Sequence, residues 1–456
     1  MSSAHSSQRV LMRLAWPAVI ENLSATMVIM IDSAMVGSLG AAATAAVAVN
    51  ASPSWLMGGL AGSLGVGATA LVSRMIGAKD REGAQRTAGQ ALLLGFVLST
   101  AMMLFALLGA PLIPRLMGAD PAIHADAASY MRLIGLAFIP HYMGMTAGAL
   151  LRGAGDTRSP MRASLLSHLI NITFNFLLIY PTRPLNVLGI GFTMPGAGMG
   201  VQGAAIATAM ANATAGLYLL RLLLKGRGAL TLPDIRRLRP EREMAGRILR
   251  IALPAGMERV SINLGQIVFA GMVASLGTHT LAAHHLAITV ESLGYMPGFG
   301  FSVAAATLVG QNLGAGDYQR ARHFGLRAIG TGTLLMSVSG VLMFIFAHQL
   351  IALFTPDPAV RQIGAMLIRI CAVEQPFSAL SIIAPGALRG AGDTVAPFRV
   401  ALVSMWGVRL VLAWLLGSVL GLGIRGIWYA MVIDLGVRGI LLLLRFLRGH
   451  WQHTRV

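Results

Sequence analysis

Residues 13–32 read RLAWPAVIENLSATMVIMID, and residues 250–277 read RIALPAGMERVSINLGQIVFAGMVASLG. An offset of 237 residues aligns the two stretches, so that Pro17 matches Pro254 and Glu21 matches Glu258. The same offset superimposes two identical RGAGDT segments, 152–157 and 389–394, without a gap. The chain therefore consists of two copies of one unit, and positions where the copies differ are as informative as those where they agree.

The composition indicates a membrane protein. Of the 456 residues, 55% are hydrophobic and 11% are charged, and the mean hydropathy is +0.71. A soluble globular chain carries roughly 25% charged residues, more than twice this share. Apolar runs of about 20 residues recur along the chain, each long enough to cross a bilayer core as a helix. We therefore expect an all-α membrane protein.

Twelve membrane spans fit the apolar runs. The first six are predicted at 13–38, 47–73, 88–111, 126–150, 161–181 and 201–224. The second six are predicted at 250–275, 284–310, 325–347, 361–387, 398–420 and 424–447. These spans define an N-terminal six-helix lobe (1–224), a cytoplasmic linker with little fixed structure (225–249) and a C-terminal six-helix lobe (250–456). Because six is even, both lobes insert with the same orientation, which predicts a pseudo-twofold axis along the membrane normal.

Basic residues between the spans predict the orientation. They are concentrated in every second loop, beginning with Arg74, Lys79, Arg81 and Arg86 after the second span. By the positive-inside rule, both termini are cytoplasmic. The net charge of +18 therefore serves orientation, and we expect no nucleic-acid partner. In each RGAGDT loop, glycine permits a tight turn and Asp-Thr can cap the next helix.

Motifs of other classes are absent from the sequence. It contains no HExxH or GxSxG motif and no P-loop, which argues against an enzyme or a nucleotide-driven pump. Cys371 is the only cysteine, so no intrachain disulfide and no cysteine-based metal site can form. We expect no cofactor.

Ionisable groups within spans are costly in lipid and are therefore functional candidates. Asp32 lies deep in the first span, and its repeat partner is Phe269, so this acid belongs to one lobe alone. Asn171 and Asn175, four residues apart, share one helical face of the fifth span. Thr208 follows in the sixth span.

These oxygen-bearing side chains suit two ions. A carboxylate, two carboxamides and a hydroxyl can surround Na⁺, or the carboxyl group can hold a proton in a site of low dielectric constant. The alternative is that Asp32 is a buried acid satisfied by amides, which are ordinary interhelical contacts in membranes. His168, one turn before Asn171, is more often a hydrogen-bonded core residue than a ligand.

The second lobe carries more charges inside its spans. They form a possible second substrate or ion site: Glu258, Glu291, Glu374, Asp434 and Arg409. An internal salt-bridge network is an equally good interpretation. Arg438 is four residues after Asp434 and can neutralise it, while Arg409 could partner Glu374 or Glu291. Glu258 duplicates Glu21, which suggests a shared structural role.

The paired halves resemble the multidrug and toxic compound extrusion (MATE) family, in particular its bacterial DinF-like branch. The resemblance rests on the VGSLG and VASLG ends of spans one and seven, the twin LRGAGDT loops and the segment ESLGYMPGFGFSVAAATLVGQNLGAGD. It implies cation-coupled efflux by alternating access. It also implies that Asp32, Asn171, Asn175 and Thr208 occupy family cation-site positions, although some members carry an acid where Asn175 stands.

These observations predict an antiporter in the bacterial inner membrane. It would act as a monomer and export drugs or toxic metabolites, mostly cationic amphiphiles, in exchange for H⁺ or Na⁺. Pro17 offers a kink point in the first helix, and the 26 methionines suggest adaptable cavity walls. The alternative is a flippase for a lipid-linked precursor, which needs cationic groups for pyrophosphate; Arg409 keeps that alternative open.

Overall fold

The computed structural model describes residues 2–187, 190–226, 230, 232 and 239–454. Seventeen α-helices are defined within these residues. In the first half they are α1 (Ser2–Gly37), α2 (Ala41–Val49), α3 (Ala51–Gly77), α4 (Arg81–Gly109), α5 (Leu112–Leu116), α6 (His124–Gly135), α7 (Phe138–Gly153), α8 (Arg158–Leu178) and α9 (Gly200–Lys225). In the second half they are α10 (Arg242–Ala274), α11 (Thr278–Gly314), α12 (Tyr318–Ile345), α13 (Ala347–Ala352), α14 (Pro358–Gly390), α15 (Val395–Val403), α16 (Leu410–Trp414) and α17 (Gly423–Leu447).

The helices confirm the predicted all-α membrane fold. Among the described residues, nine helical segments are long and apolar enough to cross a membrane, and the bent α6–α7 pair would be a tenth. Helices α8 and α10 occupy the two remaining predicted spans. They are less apolar because they carry polar side chains in their interiors, among them Asn171 and Asn175 in α8 and Glu258 in α10.

Several spans are interrupted, which the hydropathy pattern did not predict. The second span divides at Asn50 into α2 and α3. The fourth bends by 51° between α6 and α7. The eleventh contains two π-helical segments, Ser404–Arg409 and Leu415–Val419, on either side of α16. A β-hairpin, β1 (Pro181–Val187) and β2 (Ile190–Ala197), joins α8 to α9.

In each half of the chain, an aspartate at the equivalent repeat position caps the start of the equivalent helix. Asp80 Oδ1 accepts a hydrogen bond from Gly83 N at the start of α4, and Asp317 Oδ1 accepts one from Arg320 N at the start of α12. Both are N-caps that satisfy a free backbone donor. The RGAGDT loops also behave as predicted, with glycines in the left-handed region at 155 and 392 and Asp156 and Asp393 capping the following helices.

The first helix of each lobe packs on the opposite lobe. Leu11 and Leu14 of α1 belong to a core cluster with residues of α11, α12 and α14. Their repeat partners, Ile248 and Ile251 of α10, belong to the corresponding cluster with α3, α4, α7 and α9. Because each lobe buries the first helix of the other, these contacts hold the two lobes together at the end that carries the RGAGDT loops.

Helices α3 and α11 cross closely at the same end. A Cβ atom added to Gly77 would lie 1.8 Å from the carbonyl oxygen of Gln311, and one added to Gly314 would lie 1.9 Å from that of Arg74. Both glycines are required by this close backbone approach. Since Gly77 matches Gly314 and Arg74 matches Gln311 across the repeat, the crossing lies on the pseudo-twofold axis.

The linker is shorter than the predicted 225–249, because α10 begins at Arg242. The prediction of little fixed structure concerns mainly residues 227–229, 231 and 233–238, which lie outside the described residues. Leu230 and Leu232 are buried in the core cluster of the first lobe. The main chain at 239–241 is held by Gln90, which donates to Arg239 O and accepts from Glu241 N.

Candidate cation site and central cleft

The four residues singled out in the first lobe lie together. Asn175 Nδ2 donates to the Asp32 carboxylate and, at 3.2 Å, to Asn171 Oδ1. Asn171 Nδ2 in turn donates to Thr208 Oγ1 at 3.2 Å. One chain of hydrogen bonds therefore links α1, α8 and α9.

Local structure explains this arrangement. The spacing of four residues places Asn171 and Asn175 on the face of α8 that packs against α1 and α9, and both carboxamides are buried. Asp32 is half-buried. In the other lobe, its repeat partner Phe269 is buried, with the Arg409 guanidinium 5.7 Å from its ring centroid. The two lobes therefore differ in charge at this position.

One oxygen of the cluster is unsatisfied. Asn175 Oδ1 is buried and has no hydrogen-bond partner among the described residues. A buried carbonyl oxygen without a partner is costly and marks a place where a cation or a donor group would be stabilised. Tyr130, which the sequence analysis did not identify, lies beside Thr208 and near Asp32. Nothing in the sequence distinguished it from other aromatic residues of the spans.

His168 does not belong to this cluster. Its Nε2 lies 2.9 Å from Ser164 Oγ, one turn earlier on α8. It is a hydrogen-bonded histidine within its own helix, in line with the interpretation that we favoured.

The second-lobe charges separate into distinct groups. Asp434 accepts hydrogen bonds from Arg409 Nε at 2.7 Å and Arg438 Nη2 at 3.1 Å, and Ser404 donates to it as well. The Arg438 pair was predicted. The prediction that Arg409 could partner Glu374 or Glu291 is wrong for a direct ion pair, because its side chain binds Asp434 of α17 and acts on the two glutamates only from beyond ion-pair distance.

Glu291 and Glu374 form a pair of their own. Their carboxyl groups are in contact between α11 and α14, and both side chains are buried. Ser378 Oγ donates to Glu374 Oε1 at 2.9 Å. Two adjacent carboxylates away from water repel each other, so such a pair is best accommodated by one shared proton or a bound cation.

Glu258 forms an ion pair that has a counterpart in the first lobe. Arg389 Nη2 lies 2.8 Å from both Glu258 carboxylate oxygens, and Arg152 Nη1 lies 3.2 Å from Glu21 Oε1. Glu21 matches Glu258 and Arg152 matches Arg389 at the offset of 237, so the predicted shared role of the glutamates is an ion pair. Both arginines belong to the basic loops from which the orientation was predicted, and the sequence analysis did not pair them with the glutamates. Their common offset was a signal that they act together with the glutamates.

A cavity of about 270 Å³ lies between the lobes next to these ion pairs. It is lined by residues of α1, α3 and α7 from one lobe and of α10, α11 and α14 from the other. A larger cavity of about 800 Å³ is bounded by apolar residues of α3, α4, α10 and the α15 span. Leucines and not methionines dominate its wall, and each cavity lining includes a single methionine, so the expected methionine-rich wall is not found there.

Two pseudo-symmetric lobes of membrane-length helices with a polar cleft between them define a membrane transport protein. Comparison with known proteins specifies the family. The sequence profile of the MatE family matches residues 17–177 and 254–415, one match in each half. The chain belongs to the MatE family, the multidrug and toxic compound extrusion proteins. The narrower DinF-like placement stays a prediction.

Relatives match over nearly the full length. The "Probable multidrug resistance protein NorM" of Thermotoga maritima is 30% identical, covering 98% of this chain and 94% of the relative. The "Multidrug resistance protein MdtK" of Yersinia pseudotuberculosis is 28% identical, covering 96% and 94%. A solved transporter of the MOP superfamily from Pyrococcus furiosus has the same fold, with a TM-score of 0.89 at 24% identity, covering 98% of this chain and 97% of that one.

Proposed function

We propose that this protein is a secondary antiporter that exports amphiphilic, mostly cationic organic compounds in exchange for H⁺ or Na⁺. Family membership and the names of the relatives as multidrug resistance proteins support efflux of drugs or toxic metabolites. The internal repeat supports alternating access, in which one lobe rocks against the other.

The observation that carries the proposal is the Asp32 cluster. It offers a half-buried carboxylate, two carboxamides and a hydroxyl, and one carboxamide oxygen, Asn175 Oδ1, lacks a partner among the described residues. Hard cations are bound by oxygen ligands of this kind, and a proton on the carboxyl group would remove the buried charge. In our proposal Asp32, Asn171, Asn175 and Thr208 bind the coupling ion, and no other cofactor takes part.

Helix α1 is well suited to couple the ion to movement. Its first half packs in the second-lobe cluster through Leu11 and Leu14, while Asp32 near its other end bonds to α8. Pro17 lies between them inside the continuous helix and removes one backbone hydrogen bond, which makes this point easy to bend. An ion that binds the two arrangements of α1 with different affinity would shift the equilibrium between them.

The orientation inferred from the basic loops assigns the RGAGDT end to the cytoplasm. The close crossing at Gly77 and Gly314 would then close the cytoplasmic side, and the present arrangement would be the outward-facing one. We place the protein in the bacterial inner membrane, with both termini in the cytoplasm, and expect it to work as a monomer.

The second lobe offers one further candidate for the coupling ion. Glu258, Asp434 and Arg409 are neutralised by ion pairs, so we assign them a structural role. Glu291 and Glu374 are the pair available for a second proton or cation, because neither forms a direct ion pair among the described residues, and Arg409, which attracts both from beyond ion-pair distance, binds Asp434. The flippase alternative loses its earlier support, since Arg409 is occupied by Asp434.

The proposal is tested by drug efflux from vesicles. Efflux of a cationic dye should be driven by a pure sodium gradient or by a pure proton gradient, and the gradient that works identifies the coupling ion. No dye efflux under either gradient, with correctly inserted protein, would refute antiport.

A further inference from the structure

The smaller cavity lies on the pseudo-twofold axis. Most of its lining consists of residues related by the offset of 237. The matched positions are Gly62 and Phe299, Gly65 and Ser302, Val66 and Val303, Thr69 and Ala306, Ala149 and Gly386, and Arg152 and Arg389. Both lobes therefore contribute the same backbone surface to this space, and its asymmetry comes from side chains.

The charges of this cavity do not cancel. Glu21 compensates Arg152, and Glu258 compensates Arg389. The remaining charged residue of the lining is Arg259, whose repeat partner is the neutral Asn22, also in the lining. The described part of the cavity therefore carries one uncompensated positive charge, from the second lobe.

Arg259 projects into this space. Its aliphatic stem crosses to the first lobe, where its Cγ would lie 2.9 Å from a Cβ atom placed on Gly59 of α3. Its charged neighbours are Arg389, which repels it, and Glu258, whose two oxygens are already bound by Arg389. Within the described residues, its guanidinium group has no ion-pair or hydrogen-bond partner, and the side chain is exposed to the cavity.

We propose that Arg259 binds a carboxylate group of the transported compound and thereby determines the affinity of the cavity for carboxylate-bearing amphiphiles. This inference rests on the proposed function and deepens it. A guanidinium group presents a planar fork of donors that matches a carboxylate, and the bond is charge-assisted on both sides. A single spare positive charge suits one carboxylate better than a pyrophosphate, which brings at least two negative charges.

Two dyes that differ in one group test the proposal. Rhodamine 19 carries a free carboxyl group, and rhodamine 6G is its ethyl ester. Binding is measured by fluorescence polarisation to the full-length protein in phosphatidylcholine nanodiscs. We expect Arg259→Asn, which copies the first-lobe residue, to weaken binding of rhodamine 19 by about tenfold or more. Binding of rhodamine 6G should change less than about twofold, because it has no carboxylate to lose.

Controls separate this role from a structural one. Arg259→Lys keeps the charge but loses the planar fork of donors, so its rhodamine 19 affinity should lie between those of the wild type and Arg259→Asn. Arg250→Asn, an exposed arginine of the same helix, should leave both dyes unaffected. Equal weakening of both dyes, or no change in either, would overturn the proposal.

A second arm distinguishes cargo from lipid, because an anionic headgroup offers similar chemistry. Nanodiscs with about a third of phosphatidylglycerol should leave the rhodamine 19 affinity of the wild type unchanged. A loss of affinity in the wild type, absent in Arg259→Asn, would assign the site to the headgroup and contradict a cargo site. Gradient-driven transport of rhodamine 6G tests the antiport proposal separately, since Arg259→Asn should not impair it.

Discussion

At residue 434 one carboxylate faces two guanidinium groups in the interior of the second lobe. Arg409 and Arg438 both bind Asp434, and all three side chains are buried. Ion pairs of this kind add little net stability by themselves, but removing one partner leaves an uncompensated buried charge. Here the loss of the single acid would leave two such charges.

Asp434→Asn should therefore destabilise the fold by about 3–5 kcal/mol. Thermal unfolding in detergent would detect this as a clear fall in Tm. Asp126→Asn removes an exposed acid of α6 and should change stability by about 0.5 kcal/mol or less. Equal Tm values for the two variants would show that the network does not stabilise the lobe.

Substitutions of Asn175 test the candidate cation site. If Na⁺ is the coupling ion, Asn175→Asp, which introduces a carboxylate beside Asp32, should increase the affinity for it by about tenfold, since a second negative charge attracts the ion. Asn175→Leu, which removes the oxygen and the hydrogen bond, should abolish sodium binding. Isothermal titration with NaCl against choline chloride measures both. Unchanged affinity in Asn175→Leu would exclude this residue from the site.

The sequence predicted candidate residues better than their partners. Asp32, Asn171, Asn175 and Thr208 were identified because each is costly or conspicuous in an apolar span, and the four lie together. Partner choice depends on side-chain direction in three dimensions, which hydropathy does not encode. For that reason Arg409 was given the wrong acid, and the engagement of Arg152 and Arg389 with glutamates was missed.

At the scale of single helices, the apolar runs predicted helices at the twelve span positions but not their interruptions, and among the described residues nine segments, with the bent α6–α7 pair as a tenth, are long and apolar enough to cross a membrane. The break at Asn50, the 51° bend between α6 and α7 and the π-helical segments of the eleventh span depend on local hydrogen bonding. That information is not contained in the apolar content of a window. The linker end was also misplaced, because α10 begins with polar residues, from Arg242 onwards, ahead of its apolar part.

The crossing of α3 and α11 predicts how a larger residue at Gly77 affects the contact between the lobes. Gly77→Ala would place a methyl group against the Gln311 carbonyl, so the helices must move apart. We expect a lower Tm and a larger fraction of molecules open at the RGAGDT end, measured as faster thiol labelling of a cysteine introduced at the half-buried Ala154 of that loop. Gly246→Ala, where a Cβ atom would meet nothing within 4 Å, is the control and should be neutral. Identical labelling of both variants would argue against this crossing as the closure between the lobes.

For the molecule as a whole, the two copies share a fold and differ in chemistry. The ion pairs Glu21–Arg152 and Glu258–Arg389 and the glycine crossing repeat in both halves. Asp32 and Arg259 each occur in one half, opposite Phe269 and Asn22. In our account the shared features hold the lobes in register, and the differences separate an ion site in the first lobe from an anion-binding group of the second lobe.

The central claim is that Asp32 couples an ion gradient to transport, and rhodamine 6G uptake into proteoliposomes tests it most directly. Wild-type protein and the control Asp126→Asn should accumulate the dye when a sodium or proton gradient is imposed. Asp32→Asn should still bind the dye but lose its gradient-driven uptake, because its neutral side chain no longer exchanges the ion. Gradient-driven uptake by Asp32→Asn at the wild-type rate would contradict the account.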